Sequence, residues 1–171
     1  MIAAVHNKAL DRSALTLLFV CTHNRCRSIL CEALSDEISN GQIHAFSAGS
    51  HPSGSVHPET LHHLEKRGID TSNLQSTSWD SYDGVSFEAV ITVCDDAAGE
   101  QCPVWLGKTI KAHWGLPDPS RVKGSEDRDI AFAAVIETIR RRIERLLAHD
   151  VATLRGERLR DTLQNIGNGD D

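Results

Sequence analysis

Cys21-Thr-His-Asn-Arg-Cys-Arg27-Ser28 places a thiol six positions before a guanidinium, with a hydroxyl directly after it. The segment lies between an apolar run, Ala14 to Val20, and a stretch of helical periodicity that begins at Arg27. First-turn amides of a helix point into the loop that precedes it, and the helix dipole favours negative charge there. Such a loop can wrap a tetrahedral oxyanion, and Arg27 adds a planar fork suited to two of its oxygens. Cys21 is thus a candidate nucleophile, and Thr22, His23, Asn24, Arg25, Cys26, Arg27 and Ser28 are the candidate anion contacts.

The thiolate form of a cysteine is the reactive one. Each tenfold gain in thiolate over an ordinary cysteine requires about 1.4 kcal/mol, and a helix terminus typically supplies ~0.3 to 1 kcal/mol. The dipole alone is insufficient, so loop amides, the Arg27 charge and the Ser28 hydroxyl have to contribute the rest.

The elements that must hold this loop can be read outward from it. Ala14 to Val20 reads as a strand buried on both faces. From Arg27 to Ser39, Leu30, Cys31, Ala33, Leu34 and Ile38 fall on one face, while Glu32, Asp36 and Glu37 mark the other. Ile43 to Ser47 is a second strand, followed by a turn-rich connection from Ala48-Gly49 to Gly54-Ser55. A second helix starts at Pro58 and ends at a left-handed Gly68, with Leu64 and Ile69 making the apolar contact of that cap. Phe87 to Cys94 and, more weakly, Thr109 to Trp114 are β-type runs. Phe132, Val135, Ile136, Ile139, Ile143, Leu146 and Leu147 form a helical apolar stripe. Strands alternating with helices imply an α/β fold with a parallel sheet, whose active site lies at the strands' carboxyl ends.

At 171 residues, with 40% hydrophobic and 25% charged residues, the chain suits one soluble domain. The expected domain spans 14–149, with 1–13 and 150–171 as flexible extensions, because the tail ending Asn165-Ile-Gly-Asn-Gly-Asp-Asp171 shows no apolar face. A net charge of −6 argues against nucleic acid. Arg140-Arg141-Arg142 with Arg145, the one dense basic run, reads as a solvated helix face. No apolar stretch approaches the roughly 20 residues of a membrane span. Lys8 and Arg12 mimic a signal peptide's basic flank, but no small-residue cleavage site follows, so a cytoplasmic protein is expected. Five cysteines without a C-x-x-C pair argue against a disulfide framework.

Val20-Cys-Thr-His-Asn-Arg-Cys-Arg-Ser28, Phe46-Ser-Ala-Gly49, Val90-Ile-Thr-Val-Cys94, Cys102-Pro103 and His113-Trp-Gly-Leu-Pro-Asp-Pro119 occur in one order along the chain. In these motifs the sequence resembles the low-molecular-weight phosphatase-like arsenate reductases, from about Ala14 to His149. The resemblance implies a single four-stranded parallel sheet flanked by helices. It assigns Cys21, Arg27 and Asp118 to attack, substrate binding and general acid catalysis, and Cys94 and Cys102 to a disulfide cascade. It also implies arsenate as substrate and no bound cofactor, with thioredoxin, or glutathione with glutaredoxin, as the thiol reductant. A monomer is expected. Asn24, Glu32 and Ser47 match positions that brace the loop, although each also suits an ordinary turn, helix-surface or capping role.

The same scaffold hosts tyrosine phosphatases, which carry aromatic residues after Asp-Pro; here Ser120 and Arg121 follow, favouring a small inorganic substrate. A disulfide tolerates no more than about 7 Å between Cα atoms, whereas eight helical steps span ~12 Å. The segment from Cys94 to Cys102 must therefore bend when oxidised, and it is the expected redox switch. Cys26 reads chiefly as a packing thiol, with a disulfide to Cys21 as its alternative, and Cys31 as core. His23 is expected to point out of the loop, and His113 and Trp114 to set the approach of Asp118. A non-enzymatic metal- or arsenite-binding role for the cysteines is disfavoured by their spacing and by the adjacency of His62 and His63, which puts them on different helix faces. Thr77 brings no carboxylate to the site, and no metal is expected.

Overall fold

The computed structural model describes residues 13–99, 103 and 106–169. Four parallel strands form one sheet in the order β2-β1-β3-β4: β1 (Leu15–Cys21), β2 (Ile43–Gly49), β3 (Ala89–Thr92) and β4 (Ile110–His113). Every residue of β1 is buried, as its unbroken apolar run requires of a central strand. Registers Cys21↔Gly49, Val20↔Thr92 and Thr92↔His113 align the carboxyl ends of all four strands. The second strand is longer than its sequence suggested: Ala48 and Gly49 belong to β2, held there by pairing with β1.

Helix α1 (Arg27–Ser39) follows β1 after a five-residue loop and ends on a left-handed Asn40 (φ 49°). Its polar face is not purely solvent-facing. Glu32 reaches Ser47, and Asp36 Oδ1 accepts from Ala45 N at 3.0 Å, tying α1 to β2. Helix α2 (Pro58–Glu65) ends as its spacing predicted: Gly68 has φ +76° and Ile69 N donates to Leu64 O at 3.1 Å. The short helix α3 (Asp95–Gly99) starts directly after Cys94.

Helix α4 (Ser125–Leu147) buries Phe132, Val135, Ile136, Ile139, Ile143 and Leu146 and packs on α1. Arg142 lies in the same stripe and is also buried, which corrects its reading as a solvated residue. Its Nη1 donates to Trp114 O at 2.8 Å and its Nη2 to Gly115 O at 3.2 Å. A charged group survives in the interior here because backbone carbonyls replace its water. Arg140, Arg141 and Arg145 are exposed and fit the solvated picture, Arg140 pairing with Glu137 and Glu144.

The expected flexible tail is a helix, α5 (Gly156–Asn168). Leu159, Leu163 and Ile166 recur at i, i+4, i+7 and are buried, each contributing about 1.5–3 kcal/mol by transfer from water. The helix packs on β4 and α4. Trp114 Nε1 donates to Leu163 O at 2.9 Å, and Gly167 lies so near the chain that a Cβ there would be 2.3 Å from His113 O. Edge strand β4 is thus covered by the segment assigned to an extension. Arg155 Nη2 also donates to Ala14 O at 3.3 Å, joining the connection before α5 to the start of β1. Among the described residues no helix is long and apolar enough to cross a membrane.

Candidate active site

Cys21 closes β1, and the loop from Thr22 to Cys26 turns directly into α1. No side chain caps the first-turn amides of α1, which leaves backbone donors for an anion. A small cleft of about 120 Å³ is lined by Cys21, Thr22, His23, Arg25, Cys26, Arg27, Asp118, Ser120 and Arg121. Ligand pockets for drug-sized molecules run ~300–1,000 Å³, so this one suits a compact oxyanion.

Behind the cleft a hydrogen-bond chain ends on the thiol. Thr77 N donates to Asn24 Oδ1 at 2.7 Å, and because a backbone N–H can only donate, this fixes the orientation of the Asn24 amide. Asn24 Nδ2 then donates to Ser28 Oγ at 2.8 Å and Ser47 Oγ at 3.0 Å. Ser47 in turn donates to Glu32, and Tyr82 donates to the Ser47 carbonyl at 3.1 Å. With its oxygen already accepting from Asn24, Ser28 has its proton to give to Cys21 Sγ, 2.9 Å away. That hydrogen bond fixes the position of the nucleophile. Asn24 holds φ 45°, a left-handed geometry that asparagine tolerates. Burial, then the Glu32 charge, pushes the Tyr82 phenol well above its usual pKa, so it remains a donor.

Asn24 and Ser28 were expected both among the anion contacts and as supports, Asn24 bracing the loop and the Ser28 hydroxyl reaching the thiol. Both side chains are 0% exposed and directed into this network, so as side chains they take the supporting role. Glu32 and Ser47 belong to the same network, and Tyr82 and Thr77 join them without any signal in the local pattern. His23 is exposed, lines the cleft and directs Nδ1 to His51 O at 3.1 Å, so it is at the rim and only in part outside the loop. Burial pushes the Cys26 thiol up to about 12, consistent with a packing role, and raises Cys31 further still. Both are free thiols, as are Cys21 and Cys94.

Gly49 shows why one position tolerates no side chain. A Cβ there would lie 2.6 Å from Thr22 O and 3.0 Å from Asn24 N, so the loop would have to lift off β2. Gly49→Ala is expected to destabilise the protein by about 1–3 kcal/mol and to lower kcat/KM at the site. Denaturant unfolding and steady-state kinetics check this, and wild-type values in both would contradict the close-packing argument.

Asp118 reaches the cleft on a separately anchored segment. Trp114 N donates to Thr92 O at 2.8 Å and Leu116 N to Val93 O at 3.0 Å, continuing the β3–β4 alignment past the strand ends. Arg142 holds the carbonyls of Trp114 and Gly115 from α4, while Trp114 is buried against Phe19. The Asp118 Oδ1 accepts from Ser120 N at 3.0 Å and Ser120 Oγ at 2.6 Å. Its Oδ2 faces Arg27 Nη2 at 3.6 Å and Arg121 Nε at 3.5 Å. Arg27 Nη1 donates to Leu116 O at 3.1 Å, so one guanidinium joins the loop to the carboxylate segment. Ser120 and Arg121, noted only as replacements for aromatic residues, thus position Asp118.

Cys94 is buried beside the same loop, its Sγ 3.7 Å from Thr22 Oγ1 and accepting from Ala97 N at 3.4 Å. His113 Nδ1 meets Thr92 Oγ1 at 2.8 Å, and its Nε2 meets Asp95 Oδ1 at 3.1 Å, holding the start of α3. Cys102 lies outside the described residues.

The sequence matches the family described as low molecular weight phosphotyrosine protein phosphatase over residues 16–160. It is 34% identical over 116 residues to an arsenate reductase of Bacillus subtilis, covering 68% of this chain and 82% of that protein. A solved arsenate reductase in its phosphate-binding state superposes with a TM-score of 0.65 at 29% identity, over 78% of this chain and 97% of the other. The thioredoxin-dependent arsenate reductase of Corynebacterium glutamicum gives 0.60 at 29% identity, over 86% of this chain and 66% of the other. The thiol-bearing loop between β1 and α1, the β2-β1-β3-β4 sheet and these matches lead to one assignment: the chain belongs to the low molecular weight phosphotyrosine protein phosphatase family.

Proposed function

We propose that this protein is an arsenate reductase in which Cys21 attacks arsenate and Cys94 and Cys102 supply the remaining thiols. The observation that carries this reading is a second buried thiol, Cys94, beside the oxyanion loop at Thr22. Phosphoryl transfer has no use for it, whereas reducing As(V) to As(III) requires two electrons from thiols. The small cleft, with Ser120 and Arg121 after Asp118-Pro119, supports an inorganic substrate over an aryl phosphate. The relatives named above as arsenate reductases support the same choice.

Arsenate binds against the loop amides and Arg27, and the Cys21 thiolate displaces one oxygen, which Asp118 protonates so that it leaves as water. The product is a Cys21–S–As(V) adduct. Cys94 attacks the Cys21 sulfur, the S–As electron pair passes to arsenic, and arsenite leaves as the Cys21–Cys94 disulfide forms. Cys102 then attacks Cys94 and releases Cys21, and an external dithiol reduces the Cys94–Cys102 disulfide. Thioredoxin is the dithiol we assign, with the C. glutamicum relative in support. The proposal places the protein in the reducing cytoplasm, as a monomer.

Arsenate-dependent NADPH oxidation with thioredoxin and its reductase tests the reading, run beside glutathione with glutaredoxin and an aryl-phosphate hydrolysis assay. Fast aryl-phosphate turnover without arsenate activity would overturn it. Cys102→Ser is expected to keep one turnover of arsenite and to lose at least about 10²-fold in multiple turnover with thioredoxin. Full multiple turnover in that variant removes Cys102 from the cascade.

A further inference from the structure

Glu59, His63 and Asp129 form a second chemical cluster that the reaction does not use. Glu59 and His63 are four residues apart on α2 and so share a face, and Asp129 meets them from α4. One nitrogen and two carboxylate oxygens lie within 4.8 Å of one another. His63 Nε2 is 3.1 Å from Asp129 Oδ1 and 3.8 Å from Glu59 Oε2. The ring is 2% exposed and stacks on Phe132 with centroids 4.4 Å apart and planes 6° apart, so its orientation is set by packing. Yet His63 Nε2 makes no hydrogen bond among the described residues, although the Asp129 carboxylate lies 3.1 Å away. A buried polar atom left in that state costs about 1–3 kcal/mol.

We propose that Glu59, His63 and Asp129 bind a divalent first-row transition-metal ion, with zinc the best match to the ligands, which clamps α2 to α4. An ion on the Nε2 lone pair satisfies the nitrogen and draws in both carboxylates, as no hydrogen bond in this arrangement does. With metal–ligand bonds of about 2.0–2.2 Å, the ligand atoms of a tetrahedral site stand ~3.3–3.6 Å apart. The observed 3.1 and 3.8 Å bracket that spacing. Imidazole nitrogen suits zinc and its neighbours, whereas magnesium and calcium take oxygen sets. Two nearby cations do not block the site. Arg128 faces the other Glu59 oxygen at 3.8 Å, leaving Oε2 toward His63, and Arg67 donates to the His63 carbonyl. The same turn of α2 holds the oxyanion loop, since His57 N and Thr60 Oγ1 both donate to Arg25 O, at 2.9 and 3.2 Å. The ion therefore braces the turn that anchors the loop.

The test is a calorimetric zinc titration of the full-length, chelator-treated chain with Cys21→Ser, Cys94→Ser and Cys102→Ser, so that the redox thiols do not compete. One saturable zinc equivalent is expected, with a thermal midpoint that rises as zinc is added. Asp129→Asn, at a position more than half exposed, and Glu59→Gln are each expected to weaken binding about tenfold or more and to abolish the rise, with unchanged circular dichroism. Absence of saturable binding, or unchanged affinity in either variant, overturns the three-ligand site. Equal binding of magnesium overturns the transition-metal assignment.

Discussion

Cys21→Ser is expected to abolish arsenite formation even in a single turnover, a loss of at least about 10⁴-fold. The thiol is buried at the end of β1, with the Ser28 hydroxyl 2.9 Å from its sulfur. A hydroxyl in its place remains protonated, because an alcohol is a far weaker acid than a thiol and one hydrogen bond and one nearby guanidinium fall far short of ionising it. Sulfur is also the electron source: without it no disulfide with Cys94 can form, and arsenic stays As(V). Loop amides and Arg27 are unchanged in the variant, so arsenate or phosphate should still raise its thermal midpoint. Rapid-quench measurement of arsenite beside that binding assay separates lost chemistry from lost fold. Retained arsenite production would remove Cys21 as the nucleophile.

Arg27→Ala carries the second largest effect, a fall in kcat/KM of about 10³-fold, or ~4 kcal/mol of transition-state stabilisation. The side chain serves twice. Its fork faces the cleft, and the same guanidinium donates to Leu116 O and stands 3.6 Å from Asp118. Its removal weakens anion binding and loosens the carboxylate segment together, so both KM and kcat should deteriorate. Arg27→Lys restores the charge without the planar geometry and is expected to recover only part of the loss. Wild-type kcat/KM in Arg27→Lys would show that charge alone suffices and that the fork between loop and Leu116 is dispensable.

Much of the loop was legible in the sequence because its chemistry is local. Cys21, Arg27 and Ser28 fall within one strand-loop-helix turn, and nearest-neighbour geometry suffices to bring them together. The α/β class followed from hydrophobic periodicity, and the Gly68 cap from a single residue type that adopts positive φ at little cost. Asn24 and Ser28 were linked to the loop with two roles left open, anion contact and support of the thiol. Their letters permit contact with an anion or with the protein, and only the Thr77 N–H decides between these. Arg142 shows the limit of reading charge by periodicity. It stands in the apolar stripe of α4, and its burial depends on two carbonyls 27 and 28 residues away. The tail misled because Leu159, Leu163 and Ile166 are few and the residues around them polar; the helix gains its stability from β4 and Trp114. The Glu59, His63 and Asp129 cluster leaves no local pattern, because Asp129 comes from a distant helix.

By itself the sequence determined the strand-loop-helix that carries Cys21, the parallel α/β architecture and the motifs of the reductases it resembles, since each is encoded by spacing over a few residues. The tertiary structure alone decided which side chains line the cleft and which brace the thiol, how Asp118 and Cys94 arrive beside the loop, and that α5 completes the sheet's edge. Those outcomes rest on hydrogen bonds and burial between residues 20 to more than 100 positions apart. No local pattern records such contacts, because their energies exist only once the sheet has brought the partners together.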